Sequence, residues 1–269
     1  MTKNKSIATL FAEASDYRPG TLDNLPPRII QPKLNGIRAM WIPEKFGFYS
    51  RDGVLYSPDV TEHMIPPKDL RHLYLDGEFY FHGWSLQRIN SAVGVNREKP
   101  KQDSLQIRHH VFDFIDTRPQ LERLRMLEQY AGLLATVPYH LMSIPDDMEN
   151  WFVEYMSQGY EGIILRNTQM PYINGRTHNI LKRKGWRDED FPVVGVTDGK
   201  GKHEGSIGAL VCAVGNNTFT VDGMTDEDRD AWAANPSMVI GRKAKVKFLL
   251  LSDDGIPLMP KLVGVVDGK

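Results

Sequence analysis

The feature that most limits the fold is a change of texture near residue 189 of a chain of 269. Beyond it, F-P-V-V-G-V (191–196), G-A-L-V-C-A-V-G-N-N-T-F-T-V (208–221) and R-K-A-K-V-K-F-L-L-L (242–251) are short apolar or alternating runs, which read as strands. The G-N-N at 215–217 is a hairpin turn, and T-D-E-D-R-D-A-W-A-A-N (225–235) reads as one helix capped by Thr225. Several strands and a single helix in about 80 residues fit a small β-barrel. Ahead of the change, I-R-A-M-W-I (37–42) and L-Y-L-D-G-E-F-Y-F (73–81) read as strands, and Asp76 beside Gly77 by itself reads as a hairpin turn. A helix is expected from Thr117 as its cap, with Leu121, Leu124, Leu127, Tyr130 and Leu134 at helical spacing. A second is expected over 147–158, with Phe152, Tyr155 and Met156 inward and Gly159 as its stop. Strands and helices do not alternate in βαβ units, so the class is α+β, with antiparallel or mixed sheets. The expected division is 1–188 and 189–269.

Composition narrows the function classes. Hydrophobic residues make up 41% and charged residues 25%, which excludes a disordered or fibrous chain. No apolar run approaches the roughly 20 residues of a membrane helix, and the N-terminus meets Glu13 and Asp16 too soon for a secretion signal. A cytoplasmic protein with no membrane partner is expected. Cys212 is the one cysteine, so intramolecular disulfides and cysteine-built zinc sites are excluded. The net charge of −1 argues against a uniformly basic coat, yet Lys182, Arg183, Lys184 and Arg187 cluster, as do Arg242, Lys243, Lys245 and Lys247.

The chemistry begins at Q-P-K-L-N-G-I-R, residues 31–38. Pro32 stiffens the backbone before Lys33, and Gly36 permits close approach to a ligand. A neutral lysine amine attacks phosphorus to give a phosphoramidate, and a nearby arginine holds phosphate oxygens bidentately. Taken alone, this octapeptide reads first as a surface turn flanked by cations.

Further segments follow in order: S-R-D-G (50–53), L-D-G-E (75–78), V-F-D (111–113), E-G-I-I-L-R (161–166) and L-K-R-K (181–184). Together with 31–38 they resemble the ordered motifs of the covalent nucleotidyltransferases, the superfamily of DNA ligases, RNA ligases and messenger-RNA capping enzymes. Within it, P-Y-I-N-G-R-T-H-N-I-L-K-R-K-G-W (171–186), D-G-K-G-K-H-E-G-S-I-G-A-L-V (198–211) and the 226–235 segment resemble the small ATP-dependent DNA ligases of phages and bacteria. The resemblance runs from about Pro26 to near the C-terminus. It implies an adenylation domain followed by an oligonucleotide-binding (OB) fold. It also implies ATP and Mg²⁺ as cofactors, nicked duplex DNA as partner and a monomer. Lys33 is then the adenylylated nucleophile, and Gln31 lies against the adenine edge. Arg38 and Arg51 grip phosphate, and Glu78 contacts the ribose or a metal. Phe112 stacks on the base, Glu161 holds a divalent metal, and Lys182 and Lys184 neutralise the α-phosphate. His109 and His110 are adjacent on a strand and point to opposite faces, so they do not form a metal pair.

Two departures stand out. Asn35 occupies the place of the family's usual aspartate, keeping an acceptor oxygen without the charge. Leu258 and Val266 stand where arginine is common in the last motif, leaving Lys261 or Lys269 as stand-ins for orienting pyrophosphate. Asn35 keeps an RNA ligase in view, and the eroded last motif keeps a catalytically dead nucleic-acid binder on the same scaffold in view.

Overall fold

The strands of the first unit are β1 (Ala12–Asp16), β2 (Arg28–Lys33), β3 (Ile37–Ile42), β4 (Gly47–Ser50), β5 (Leu75–Tyr80), β6 (Arg108–Phe114), β7 (His140–Met142), β8 (Gly162–Asn167) and β9 (Gly175–Lys184). They belong to a computed structural model that describes residues 4–18, 28–142, 145–252 and 254–267. Pro26 and Lys269 lie outside the described residues. One sheet has the order β1-β9-β8-β2-β7, the other β4-β3-β5-β6. All neighbours are antiparallel except β1 and β9, which run parallel.

Alternation decides which face of each strand is buried. In the second sheet Trp41, Leu75, Phe79, Val111 and Phe48 turn to one side and pack with Ile89, Leu124 and Leu127 from the helices Leu86–Val93 and Gln120–Glu128. In the first sheet Ile30, Ile163, Leu165 and Leu181 turn toward Met148 and Tyr155 of the helix Pro145–Ser157. The opposite face of the second sheet carries a smaller apolar cluster of Met40 and Ile42 with Ile7 and Phe11 beside its polar residues.

Helix ends differ from the sequence expectation. The helix expected from Thr117 starts at Gln120, capped by Pro119 without a side-chain bond. Asp116 accounts for the delay: its carboxylate accepts the Arg118 N–H at 2.8 Å and pairs with the Arg118 guanidinium, closing a separate turn. The helix ends at Glu128, so Tyr130 and Leu134 reach the core from the following turns, where Gly132 takes φ +94°. The helix expected over 147–158 spans Pro145–Ser157, and Gly159 follows at φ +89°. Asp76, readable as a hairpin turn, is instead a buried residue of β5.

The second unit is Gly185–Lys269, against Met1–Lys184 for the first. Its strands are β10 (Arg187–Asp198), β11 (Ile207–Val214), β12 (Asn217–Val221), β13 (Lys243–Phe248), β14 (Leu250–Leu251), β15 (Pro257–Leu258) and β16 (Lys261–Val266). Residues 187 and 188, which the texture change leaves in the first domain, pair with β13 at Phe248 and Lys247 and so belong to the second sheet. The five-stranded order is β12-β11-β10-β13-β16, all antiparallel. β10 pairs with β13 over its first half and with β11 over its second, with a register shift after Val193. No ladder joins β12 to β16 among the described residues; a single bond from Leu262 N–H to the Asp222 carbonyl, 2.9 Å, draws the two edges together. The Gly215–Asn216 turn joins β11 to β12, and Thr225 caps the helix Asp226–Ala234 by accepting the Asp228 N–H at 3.1 Å.

Candidate active site

Lys33 ends β2 with Nζ 2.6 Å from Glu161 Oε2, and Lys184 ends β9 with Nζ 3.1 Å from Oε1 of the same carboxylate. The ladder explains the convergence. Lys33 pairs with Gly162 and Gly162 with Lys184, so both lysines lie in one row on one face of the sheet. The middle position of that row must be glycine: its φ is +150°, and a Cβ would lie 2.1 Å from the Arg183 carbonyl oxygen. The Glu161 N–H donates to the Lys33 carbonyl at 3.0 Å, which turns that carbonyl toward β8. Pro32, one residue earlier, then turns its missing N–H to the opposite side, where β7 pairs only as far as Ile30.

The three side chains are largely covered, at 18% exposure for Lys33, 19% for Lys184 and 8% for Glu161. Two ammonium groups share one carboxylate, so the cluster attracts a further anion. Glu78 stands beside it and accepts the Gly36 N–H at 3.2 Å. Burial pushes the Glu78 pKa above the usual carboxylate range and the Glu161 charge adds to this, while Lys33 and Arg38 act against it. The loop after Lys33 rests directly on β5, because a Cβ at Gly36 would meet the Phe79 carbonyl oxygen at 2.6 Å.

Among the described residues no three His, Cys, Asp or Glu groups assemble into a metal cage. Glu78 and Glu161 nevertheless form an oxygen donor set that suits Mg²⁺. That ion is commonly held by one or two carboxylates, with substrate phosphates and water completing its shell.

The other expected residues are placed differently. Arg38 is engaged by the buried Asp76, with Nε and Nη2 each 2.6 Å from a carboxylate oxygen, and it also donates to the Ala12 carbonyl at 3.1 Å. Tyr172 donates its hydroxyl hydrogen to Asp76 at 2.5 Å and accepts the Ala12 N–H at 3.0 Å. The Arg38 guanidinium is thus held by protein rather than standing free for a phosphate. Phe112 is 8% exposed, with the Arg38 guanidinium 4.6 Å and the Arg166 guanidinium 5.0 Å from its ring centre. Gln31 is 1% exposed; its Oε1 accepts from Arg166 at 2.7 Å, and its Nε2 has no partner among the described residues. That orphaned donor fits an acceptor on a nucleobase edge. Lys182 shares the face of Lys184 but pairs with Asp16 at 3.4 Å, so the two lysines do not meet on one partner. Arg51 lies exposed in the turn after β4. Lys261 stands 5.5 Å from the Trp186 ring, and Leu258 and Val266 are partly exposed.

Sequence reasoning overlooked a buried network behind this face. Asp113 accepts from Arg123 at 2.7 and 3.0 Å and from Arg166 at 3.3 Å, and Gln120 accepts from Arg123 at 2.9 Å. Arg166 closes the E-G-I-I-L-R segment, which was the available signal.

Comparison with known proteins agrees with the geometry. A family model described as "ATP dependent DNA ligase domain" matches residues 11–184, and one described as "DNA ligase OB-like domain" matches 198–265. A DNA ligase of African swine fever virus (isolate Pig/Kenya/KEN-50/1950) is 30% identical, over 88% of this chain and 62% of its own length. The chain thus spans about three fifths of that viral relative. A Haemophilus influenzae DNA ligase is 27% identical, over 92% of this chain and 90% of its own. Among solved structures, one from a study of DNA binding by Lig E DNA ligases superposes with a TM-score of 0.77 at 23% identity, covering 95% of this chain and 98% of that one, a likeness of fold. With the first family model matching well over half of its residues, the chain belongs to the ATP-dependent DNA ligase family.

Proposed function

We propose that this chain seals 5′-phosphate/3′-hydroxyl nicks in duplex DNA through a lysyl-AMP intermediate on Lys33. The observation that carries the reading is the single carboxylate of Glu161 shared by Lys33 and Lys184. In the first step Lys33 gives up its extra proton to solvent. The neutral Nζ forms a P–N bond with the α-phosphorus of ATP as the P–O bond to pyrophosphate breaks, and the proton released from the attacking nitrogen passes to solvent. Lys184 exchanges Glu161 for the incoming phosphate oxygens, with Lys182 one row behind it. Next, an oxygen of the 5′-phosphate attacks the same phosphorus, the P–N bond breaks, and Lys33 takes up a proton from solvent and leaves as the amine. The 3′-hydroxyl then attacks the activated 5′-phosphate, AMP departs, and the hydroxyl proton passes to solvent. Nucleotidyl transfer of this kind depends on alignment and positive charge more than on acid–base groups.

Gln31 offers its orphaned Nε2 to the adenine edge, and Phe112 supplies the stacking surface once a guanidinium yields its ring. Arg38 serves by holding the Asp76–Phe112 wall, and Arg51 meets phosphate at the nick. Glu161 and Glu78 would hold Mg²⁺, which neutralises phosphate charge when bound. The unit that ends at Lys184 acts as the adenylation domain and the one that starts at Gly185 as the OB domain on the duplex, in a monomer of the cytoplasm. No helix among the described residues is long and apolar enough to cross a membrane.

The test is intact-mass measurement after exposure to ATP and magnesium, followed by sealing of a nicked duplex. AMP added to Lys33, absent in Lys33→Ala and absent with GTP, is the expected result. No adduct and no sealing would overturn the reading. Asn35 gives reason to include RNA strands: faster joining of RNA than DNA would reassign the substrate.

A further inference from the structure

The first unit carries a cluster that the proposed reaction leaves unused. His82 is exposed just past the end of β5, with Nδ1 2.7 Å from the Tyr80 hydroxyl oxygen. Its ring lies 4.8 Å from that of Tyr160, the residue immediately before Glu161. Tyr80 is 5% exposed and meets His110 edge-on at 5.3 Å. The same stretch of β5 supports the loop after the nucleophile, since a Cβ at Gly36 would come within 3.1 Å of Glu78 Oε2 and 3.3 Å of Tyr80 Cβ.

The hydrogen bond fixes a tautomer. A buried phenol must place its proton, and Nδ1 of His82 is its side-chain partner among the described residues. A phenol O–H is a stronger acid than a neutral imidazole N–H, so the favoured arrangement has the Tyr80 O–H donating to Nδ1. The ring hydrogen then sits on Nε2, an atom with no protein partner among the described residues, and the Tyr160 ring restrains the imidazole plane. The result is a donor fixed in its tautomer, four residues past Glu78 and near the residue that precedes Glu161. An N–H donor without a protein acceptor among the described residues suits a phosphate oxygen.

We propose that His82 donates from Nε2 to a phosphodiester oxygen of the polynucleotide being joined, with Tyr80 as the residue that positions it. The assignment rests on the ligase reading above. The same donor chemistry would serve ATP or pyrophosphate, so the test separates the two sources. Single-turnover self-adenylylation with ATP forms one arm. Single-turnover sealing of a nicked DNA duplex by pre-adenylylated protein, at subsaturating duplex, forms the other.

His82→Ala is expected to lose about tenfold in the sealing arm, the scale of one hydrogen bond to a charged acceptor, with no matching deficit in the adenylylation arm. His82→Gln, which keeps a donor near the Nε2 position, should recover most of the loss, and Tyr80→Phe should fall between. A role in packing against Tyr160 alone would leave Gln no better than Ala and would overturn the proposal. Sealing by His82→Ala at the wild-type rate would overturn it too, as would a deficit confined to adenylylation. Wild-type protein that neither takes up AMP nor seals would remove the ligase reading and this proposal together; an unaffected His82→Ala in a sealing enzyme removes this proposal alone.

Discussion

Two buried ionic clusters sit in the first unit, and they are built on opposite plans. Around Asp113 the carboxylate is saturated, with Arg123 bidentate, Arg166 at 3.3 Å and Gln120 reinforcing Arg123. Around Glu161 one carboxylate serves two ammonium groups, and the neighbouring Glu78 is held above its ordinary pKa by burial and by the Glu161 charge. In the first arrangement every charge on the carboxylate is met by a guanidinium, so it resists change. The second is short of negative charge on the lysine side and crowded with it between the carboxylates, so an arriving phosphate relieves one problem and a cation the other. Saturation marks structure; imbalance marks the site.

That contrast is open to direct attack. The largest effect is expected from Lys33→Ala, which should abolish AMP uptake while the thermal unfolding midpoint stays near that of the parent. Unfolding of the variant at room temperature would put Lys33 in the structural class instead. Next comes Arg123→Met, which strips Asp113 of its bidentate partner and should cost about 3–5 kcal/mol in urea unfolding. A loss under about 1 kcal/mol would show that the network is not saturated in the sense argued.

Acidification should weaken the fold by a smaller amount. Burial lowers the pKa of His109 to about 3 and that of His110 to about 4, so the folded state keeps both neutral while the unfolded chain protonates them near the ordinary value of 6.5. Stability from a depressed pKa is complete above the unfolded value and declines as pH falls through the window from 6.5 toward 3. His109 alone should account for about 2 kcal/mol between pH 6.5 and 5, measurable by urea titration at the two pH values. Glu78→Gln works in the other direction. A raised carboxylate pKa favours folding below the unfolded pKa, and that support is lost as pH rises through the folded value. The amide should therefore raise the midpoint at neutral pH, with the gain vanishing in acid, and should still impair sealing. The smallest stability effect belongs to Arg51→Ala, within about 0.5 kcal/mol for an exposed turn, with weaker binding of a nicked duplex as its signature.

The sequence disclosed the reacting face because its residues lie in short contiguous motifs whose strand periodicity is local. Lys33 with Gly36, Glu161 with Gly162, and Lys182 with Lys184 each announce themselves within a few residues. What it concealed are partnerships across long separations. The Arg38–Asp76 pair spans 38 residues, and in the sequence Asp76 looked like half of a turn. Tyr172 binds that same aspartate from 96 residues away, and the 171–186 segment that contains it gives no sign of that partner. Arg166 reaches Gln31 across 135 residues, and only the β2–β8 register makes them neighbours. A single sequence has no period that reports such distances. The misplaced helix cap at Thr117 has a local cause of the same kind, because the Asp116–Arg118 pair competed for that turn.

The long strand β10 has a mechanical consequence. Its opening half is zipped to β13 and its closing half to β11, so each half of the second sheet is fastened to the other through one uninterrupted run of backbone from Arg187 to Asp198. Peeling off either flank exposes that shared spine, which the remaining flank is too narrow to shelter. Tension applied at the two ends of this unit should therefore produce one rupture event rather than two, and a cut placed inside β10 should leave no fragment able to hold its shape.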